Sequence, residues 1–163
     1  MIRFRAAWVV PVAEPPIPDG WVAVSGGRIV AVGRDEDPGS PEVNLGRVAL
    51  MPGLVNAHTH LELSHLRDRI PPADGFVTWV RGVMAARRQQ PDQAASEILD
   101  GVRMGIDEAL ACGTALVGDI SNTLVTYAPL AASALGGVVF NEVIRFNAPD
   151  PEGVIAQACQ RID

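Results

Sequence analysis

The chain changes its periodicity at Pro52-Gly53, and that change limits the folds open to it. Before it, Ile2, Phe4, Ala6, Trp8 and Val10 alternate with Arg3, Arg5, Ala7 and Val9, the period of a half-buried strand with the first set facing inward. Residues 11–20 hold four prolines and an Asp-Gly step, so they read as a loop. Residues 21–25 and 28–32 are β-rich runs across Gly26-Gly27, a two-residue hairpin signal. An acidic, proline-broken loop is expected at 35–41, then short strands at 43–45 and 48–51. Residues 1–51 therefore read as an all-β lobe.

From Pro52 onward, strands alternate with helices, which implies parallel strands with helices outside them. The expected order is a strand at 54–60, a long loop at 61–75 and a helix at 76–88. A second helix starts after Pro91 with Asp92 as its cap. Ile98, Val102, Ile106, Ala109 and Leu110 form its apolar stripe, while Gly101 and Gly105 mark places of near backbone approach. Strands at 114–119 and 138–144 follow, with a short helix at 124–135 between them. A last helix over 151–162 is capped by Asp150, with Pro151 at its first position. These are three βα units, and 163 residues are too few for a full (β/α)8 barrel of about 250 residues. The fold class is thus α/β, with residues 52–163 as the first part of something larger.

The first of these strands ends in His58-Thr59-His60. Side chains on a strand alternate faces, so Asn56, His58 and His60 are expected on one side. Two imidazoles about 7 Å apart along the backbone can bend toward a single metal ion. Histidine is the commonest metal ligand, and catalytic zinc takes about three protein ligands plus water. His58 and His60 are half of such a site; a satisfied histidine pair without metal is the plainer alternative.

The run Pro52-Gly53-Leu54-Val55-Asn56-Ala57-His58-Thr59-His60-Leu61-Glu62 resembles the first barrel strand of the amidohydrolase superfamily, in its deaminase and chlorohydrolase-like branch. The following Leu61-Glu62-Leu63-Ser64 is similar to aminodeoxyfutalosine deaminase-like proteins. The resemblance implies a partial TIM-type barrel, its first three βα units in 52–163, beside a small β-sandwich to which 1–51 contribute. It implies that His58 and His60 are metal ligands, for Zn²⁺ or alternatively Fe²⁺. It also implies hydrolysis of a non-peptide carbon–nitrogen bond, with deamination of an aminated heterocycle by metal-activated water as the leading reading. Hydrolysis of a carbon–chlorine bond, or a truncated non-catalytic relic or assembly module, are the rivals. The family's third histidine, water-activating histidine, catalytic glutamate and last-strand aspartate lie on later strands, so no catalytic residue is assigned here. The 163 residues alone are expected to be inactive.

In a parallel barrel, functional groups gather at the carboxyl ends of strands. Glu62, Ser64 and His65 follow His60 in a loop that the resemblance lays over the substrate. The bland alternative has Glu62 bonding nearby backbone and His65 solvated. Asn56 is filler or a support for its neighbours, and Trp79 is expected to pack in the core. Asp119, ending the second strand, can orient a ligating imidazole, grip a polar substrate or cap a loop. Glu142 is expected late in the third strand among Val139, Phe140, Val143 and Ile144, where an isolated carboxylate is costly, so a functional or paired role is expected for it.

Composition closes several other routes. A net charge of −6 argues against nucleic acid or an anionic membrane as partner. All 13 basic residues are Arg, so the carboxylated lysine that bridges two metals in part of the family cannot come from these residues. Cys112 and Cys159 form no CxxC and suggest reduced thiols in a cytoplasmic protein. The apolar run 6–13 is broken by Pro11 and alternates, so it reads as a strand and not a secretory signal. No stretch reaches the 18 apolar residues of a membrane span. HExxH, GxSxG, P-loop and GxGxxG patterns are absent. The expected partner is a small-molecule substrate, with a homo-oligomer possible for the whole protein.

Overall fold

The structure is a computed structural model describing residues 1–35, 41–145 and 147–162. The loop expected at 35–41 lies largely outside the described residues. The chain forms two compact units, Met1–Pro52 and Gly53–Asp163, which follow the change of periodicity.

The first unit is a five-stranded sheet of β1 (Ile2–Val9), β2 (Ile17–Ser25), β3 (Arg28–Gly33), β4 (Glu42–Asn44) and β5 (Ala49–Leu50). The order is β3-β2-β1-β4, with β5 also paired to β1. β2 and β3 meet at Gly26-Gly27, both at positive φ as a tight hairpin demands. Two expectations fail here. β2 begins at Ile17, four residues inside the expected loop, because Pro18 and its neighbours pair only with β1 and lie beyond the end of β3. A proline is tolerated where no second strand needs its missing N–H. The inward face of β1 is only partly the expected one: Ala6 is buried, but Ile2 and Trp8 are exposed and Arg3 and Val9 of the other set are buried. Arg3 pays for its burial with an ion pair to Glu42 at 3.3 Å and a stack over Trp21, its guanidinium 5.2 Å from the ring centre.

The second unit carries the parallel sheet β6 (Leu54–Thr59), β7 (Thr114–Ser121) and β8 (Gly136–Asn141), in that order. Its helices are α1 (Phe76–Gln89), α2 (Ser96–Ala111), α3 (Tyr127–Ala131) and α4 (Pro151–Ile162). The expected loop after β6 instead opens with a 3-10 helix, Leu61–Leu66. α2 starts at Ser96 and not beside Asp92, whose side chain accepts the Ala94 amide at 3.0 Å in a local turn that competes with the helix. Asp150 caps α4 as expected, accepting the Gly153 amide at 2.9 Å. α3 is shorter than expected, and β8 ends at Asn141, so Glu142, Val143 and Ile144 lie past the strand.

The core sits on one face of this sheet. Val102 and Ile106 of α2 pack with Leu61, Val117, Leu130 and Leu135, and Val139 lies against them. Gly101 and Gly105 let the 3-10 helix lie directly on α2. A Cβ at Gly101 would fall 2.6 Å from the His65 backbone nitrogen, and one at Gly105 2.6 Å from Ser64 Oγ. The opposite face is open: Leu116 of β7 and Val138 and Phe140 of β8 are exposed.

Candidate metal and active-site segment

The two histidines of the motif come together. β6 ends at Thr59, and the backbone turns at His60 into the 3-10 helix. His58 Nε2 and His60 Nε2 are 3.3 Å apart, with the rings edge to face at 69°. Asn56 does not share their row by simple alternation. The register shifts between Asn56, which pairs with Val117, and Thr59, which pairs with Asp119. Three steps along β6 thus match two along β7, a bulge. Within it, Asn56 Oδ1 accepts the His58 amide at 3.2 Å.

The segment after His60 is pinned to the carboxyl end of β7. Asp119 is fully buried; one of its oxygens accepts the Leu61 amide at 2.8 Å and the other the Thr126 hydroxyl at 2.6 Å. Burial pushes its carboxyl above the usual range, partly offset by those two hydrogen bonds. Of the roles open to Asp119, the observed contacts are those of a cap.

Glu62 is the polar centre of this end of the sheet. It is 3% exposed, and its carboxylate accepts five hydrogen bonds. Oε2 takes the hydroxyls of Ser121 at 2.7 Å and Thr123 at 2.6 Å and the Thr123 amide at 3.3 Å. Oε1 takes the Asn122 amide at 3.2 Å and Arg87 Nη2 at 2.8 Å. Burial alone would raise its carboxyl, but the Thr123 and Ser121 hydroxyls, the Arg87 charge and the Asn122 amide together hold it below the usual range. The backbone carbonyl of Glu62 meets His65 Nδ1 at 2.9 Å. His65 is buried, which corrects the expectation of a solvated ring. Ser64 lies against α2, its Oγ beside Gly105.

Glu142 is only partly buried, because β8 has ended and Val143 and Ile144 beside it are exposed. The expected cost of an isolated buried carboxylate therefore does not arise. Asn122 Nδ2 donates to its carboxylate at 3.0 Å and to its carbonyl at 2.9 Å. Asn122 Oδ1 accepts Arg87 Nη1, so Glu62, Arg87, Asn122 and Glu142 form one chain of polar contacts. It borders a cavity of about 300 Å³ lined by Met84, Arg87, Asn122, Glu142, Arg145 and Arg161, among others. Trp79, expected in the core, is 43% exposed and lies beside Phe76, with ring centres 6.0 Å apart. α1 buries no side chain fully, and Val80, Val83 and Met84 are half-buried.

Sequence reasoning missed Arg87, Ser121, Asn122 and Thr123. A signal was present: Ser121-Asn122-Thr123 is a polar triplet directly after an apolar strand, where a parallel sheet gathers its functional groups. Among the described residues no group of three metal-ligating side chains converges, so His58 and His60 stand as a pair.

The sequence profile of the amidohydrolase family matches residues 49–152. A 5-methylthioadenosine/S-adenosylhomocysteine deaminase of Nitratidesulfovibrio vulgaris (strain DP4) is 33% identical over 116 residues, 66% of this chain and 25% of that protein. The crystal structure of Helicobacter pylori aminofutalosine deaminase with methylthio-coformycin superposes with a TM-score of 0.76 at 22% identity, covering 100% of this chain and 41% of that one. A zinc-bound adenosine deaminase from Xanthomonas campestris gives a TM-score of 0.72 at 26% identity, over 98% of this chain and 38% of the other. The chain spans about a quarter of the curated relative's length. With a profile match over most of its residues and the paired histidines closing its first parallel strand, the chain belongs to the amidohydrolase family.

Proposed function

We propose that the chain supplies the first ligand pair and part of the pocket wall of a metal-dependent hydrolase that removes an amino group from a heterocycle. In this reading β6 to β8 are the first three strands of a (β/α)8 barrel, and the sheet of 1–51 is part of an adjoining β-sandwich. The 3.3 Å between His58 Nε2 and His60 Nε2 carries the reading. Two nitrogens each about 2.0–2.1 Å from a tetrahedral zinc lie about 3.3–3.4 Å apart, so the pair already has the bite of that ion. The donors are imidazoles, which suit Zn²⁺ and also Fe²⁺. When bound, such an ion acts as a Lewis acid and makes water a competent nucleophile near neutral pH.

The chain's own residues set the frame for this chemistry. Asn56 steadies the His58 amide, and Asp119 holds the residue after His60. Glu142 and Asn122 border the cavity at the strand ends, where they can meet a polar substrate. The relatives named as deaminases of adenosine derivatives support an amino-substituted ring as substrate. The whole protein is read as a cytoplasmic enzyme acting on a small molecule, able to form a homo-oligomer. Among the described residues, no helix is long and apolar enough to cross a membrane.

Calorimetric titration of the chain with zinc tests the ligand pair. Weak binding that disappears in His58→Ala and in His60→Ala but persists in Cys112→Ser is expected. Binding indifferent to both histidines would remove the metal reading. Ammonia release from adenosine derivatives is expected only when the missing ligands are supplied. A reading frame continuing with a histidine, a His-x-x-Glu and an aspartate supports the enzyme; a frame without them favours the non-catalytic module. With two ligands where a catalytic zinc uses about three, these residues alone are inactive in this reading.

A further inference from the structure

We propose that Glu62 is a positioning residue for the histidine pair: its buried carboxylate fastens the segment after His60 to the end of β7 and so fixes where His60 stands relative to His58. The proposal rests on reading the two histidines as a ligand pair, but its first readout needs no metal.

Among the described residues β6 pairs with β7 alone, and it is exposed over most of its length. His60 stands just past the end of this strand and is half-buried. What holds this region lies downstream. The His60 carbonyl accepts the Leu63 amide at 3.0 Å, and the Leu61 amide is taken by Asp119 at 2.8 Å. The next residue, Glu62, then gathers five donors from Arg87 and the three residues Ser121 to Thr123. Its carbonyl meanwhile holds the ring of His65. Asp119 contributes a single bond to this backbone, whereas Glu62 ties it to α1 and to the turn after β7 together.

The count of donors also explains why the residue is a glutamate. Among the described residues every partner of its two oxygens donates, so the site needs an acceptor-only group with a negative charge opposite Arg87. Glutamine would set an NH₂ group against hydroxyls, amides or a guanidinium. A hydroxyl can rotate to accept, but the amides of Asn122 and Thr123 and the Arg87 guanidinium cannot. The substitution therefore keeps the size and breaks the pattern, and the segment carrying His60 loses its anchor.

The test follows the side-chain nitrogen and carbon resonances of His58 and His60 in the 163-residue chain by NMR, in the wild type, Glu62→Gln and Leu130→Ala. Leu130 lies in the core on α3, in the same cluster as Leu61, and is no partner of the Glu62 carboxylate, so it serves as the control for lost packing. Glu62→Gln is expected to shift and broaden the His60 imidazole signals, while Leu130→Ala moves them less. Ser121→Ala and Thr123→Val each delete one hydroxyl bonded to the carboxylate; they should move the same signals by less, and they answer the question if Glu62→Gln does not fold. Zinc affinity should fall about tenfold or more in Glu62→Gln, the usual cost of losing a group that orients a ligand. Histidine signals unchanged in Glu62→Gln, or moved equally by Leu130→Ala, would overturn the proposal. Moved histidines in a chain that binds no zinc would support the positioning role and defeat the metal reading alone.

Discussion

Asp119 accepts the backbone amide of Leu61 at 2.8 Å from across the β6–β7 pair, 58 residues away in sequence. Its other oxygen takes the Thr126 hydroxyl, so one buried carboxylate closes two turns at the same end of the sheet. The predicted consequence is an asymmetry between two substitutions. Asp119→Ala leaves the Leu61 amide and Thr126 hydroxyl without a partner and should cost about 1–3 kcal/mol. Asp119→Asn keeps an acceptor for Leu61, and the Thr126 hydroxyl can rotate to accept from the new NH₂, so its cost should be well under the alanine's. Equal losses by urea denaturation would show that the two bonds do not matter.

Asp119 and Glu62 should also tilt the pH dependence of stability in opposite directions. The folded pKa of Glu62 is lowered, so its contribution is present above the unfolded value and is lost as pH falls through the folded one. The folded pKa of Asp119 is raised, so folding favours its protonated form, and its contribution declines as pH rises from the unfolded to the folded value. Between about pH 3 and 7, Glu62→Gln should therefore flatten the acid-side fall in stability, and Asp119→Asn should steepen it. Denaturation curves of the three proteins over that range decide the sign.

Arg87 is the counter-charge to Glu62, with side-chain exposures of 18% and 3%. Arg87→Met should cost about 3 kcal/mol, the low end for stripping a buried ion pair of one partner, because Arg87 keeps some solvent. The double substitution Arg87→Met with Glu62→Gln should cost less than the sum of the two, since no charge is then stranded. Strict additivity in the cycle would mean that the two groups are independent.

Much of this end of the molecule was legible one residue at a time, and little of it as a network. His58 and His60 announce themselves because two steps along a strand return to one face, and the structure brings their nitrogens together. Gly101 and Gly105 were readable as close approaches because nothing else explains paired glycines on an apolar helix, and the 3-10 helix lies there. Glu62 could be singled out, but its partners are 25 and 59 to 61 residues distant, beyond any local periodicity. A one-residue bulge interrupts the alternation that set Asn56 in one row with the histidines, and no local pattern announces it. The inward face of β1 was only partly legible for a different reason: Arg3 is buried by an ion pair and a stacked ring that alternation cannot foresee.

Two glycines in neighbouring helices should respond in opposite ways to the same methyl group. In Gly101→Ala the new Cβ would meet the backbone of His65 at 2.6–2.8 Å, where neither element can yield cheaply. The gain of about 1 kcal/mol in helix propensity should be outweighed by an overpacking cost of about 1–3 kcal/mol. In Gly82→Ala of α1, the Cβ meets only Ile70 Cγ2 at 3.4 Å, an ordinary contact. That substitution should stabilise by about 0.5–1 kcal/mol. Thermal melts of the two variants check the contrast, and a stabilised Gly101→Ala would mean that the 3-10 helix does not lie on α2 in solution.

The open face of the parallel sheet gives the last prediction. Phe140 is 51% exposed, whereas Val117, on the helix-covered face of the adjacent strand, is 2% exposed. If the face stays open in solution, truncating Phe140 removes few contacts, and Phe140→Ser should change stability by no more than about 0.5 kcal/mol. Val117→Ala removes two methyl groups from a packed core and should cost about 1–3 kcal/mol through lost burial and the cavity left behind. The smaller truncation should thus be the more damaging, the reverse of what side-chain size alone suggests. Chemical denaturation at two protein concentrations makes the measurement. A cost for Phe140→Ser that matches Val117→Ala and grows with concentration would mean that a second copy covers this face. The same cost without concentration dependence would mean that the face is buried within the chain, and the description of the sheet as open on that side would be wrong.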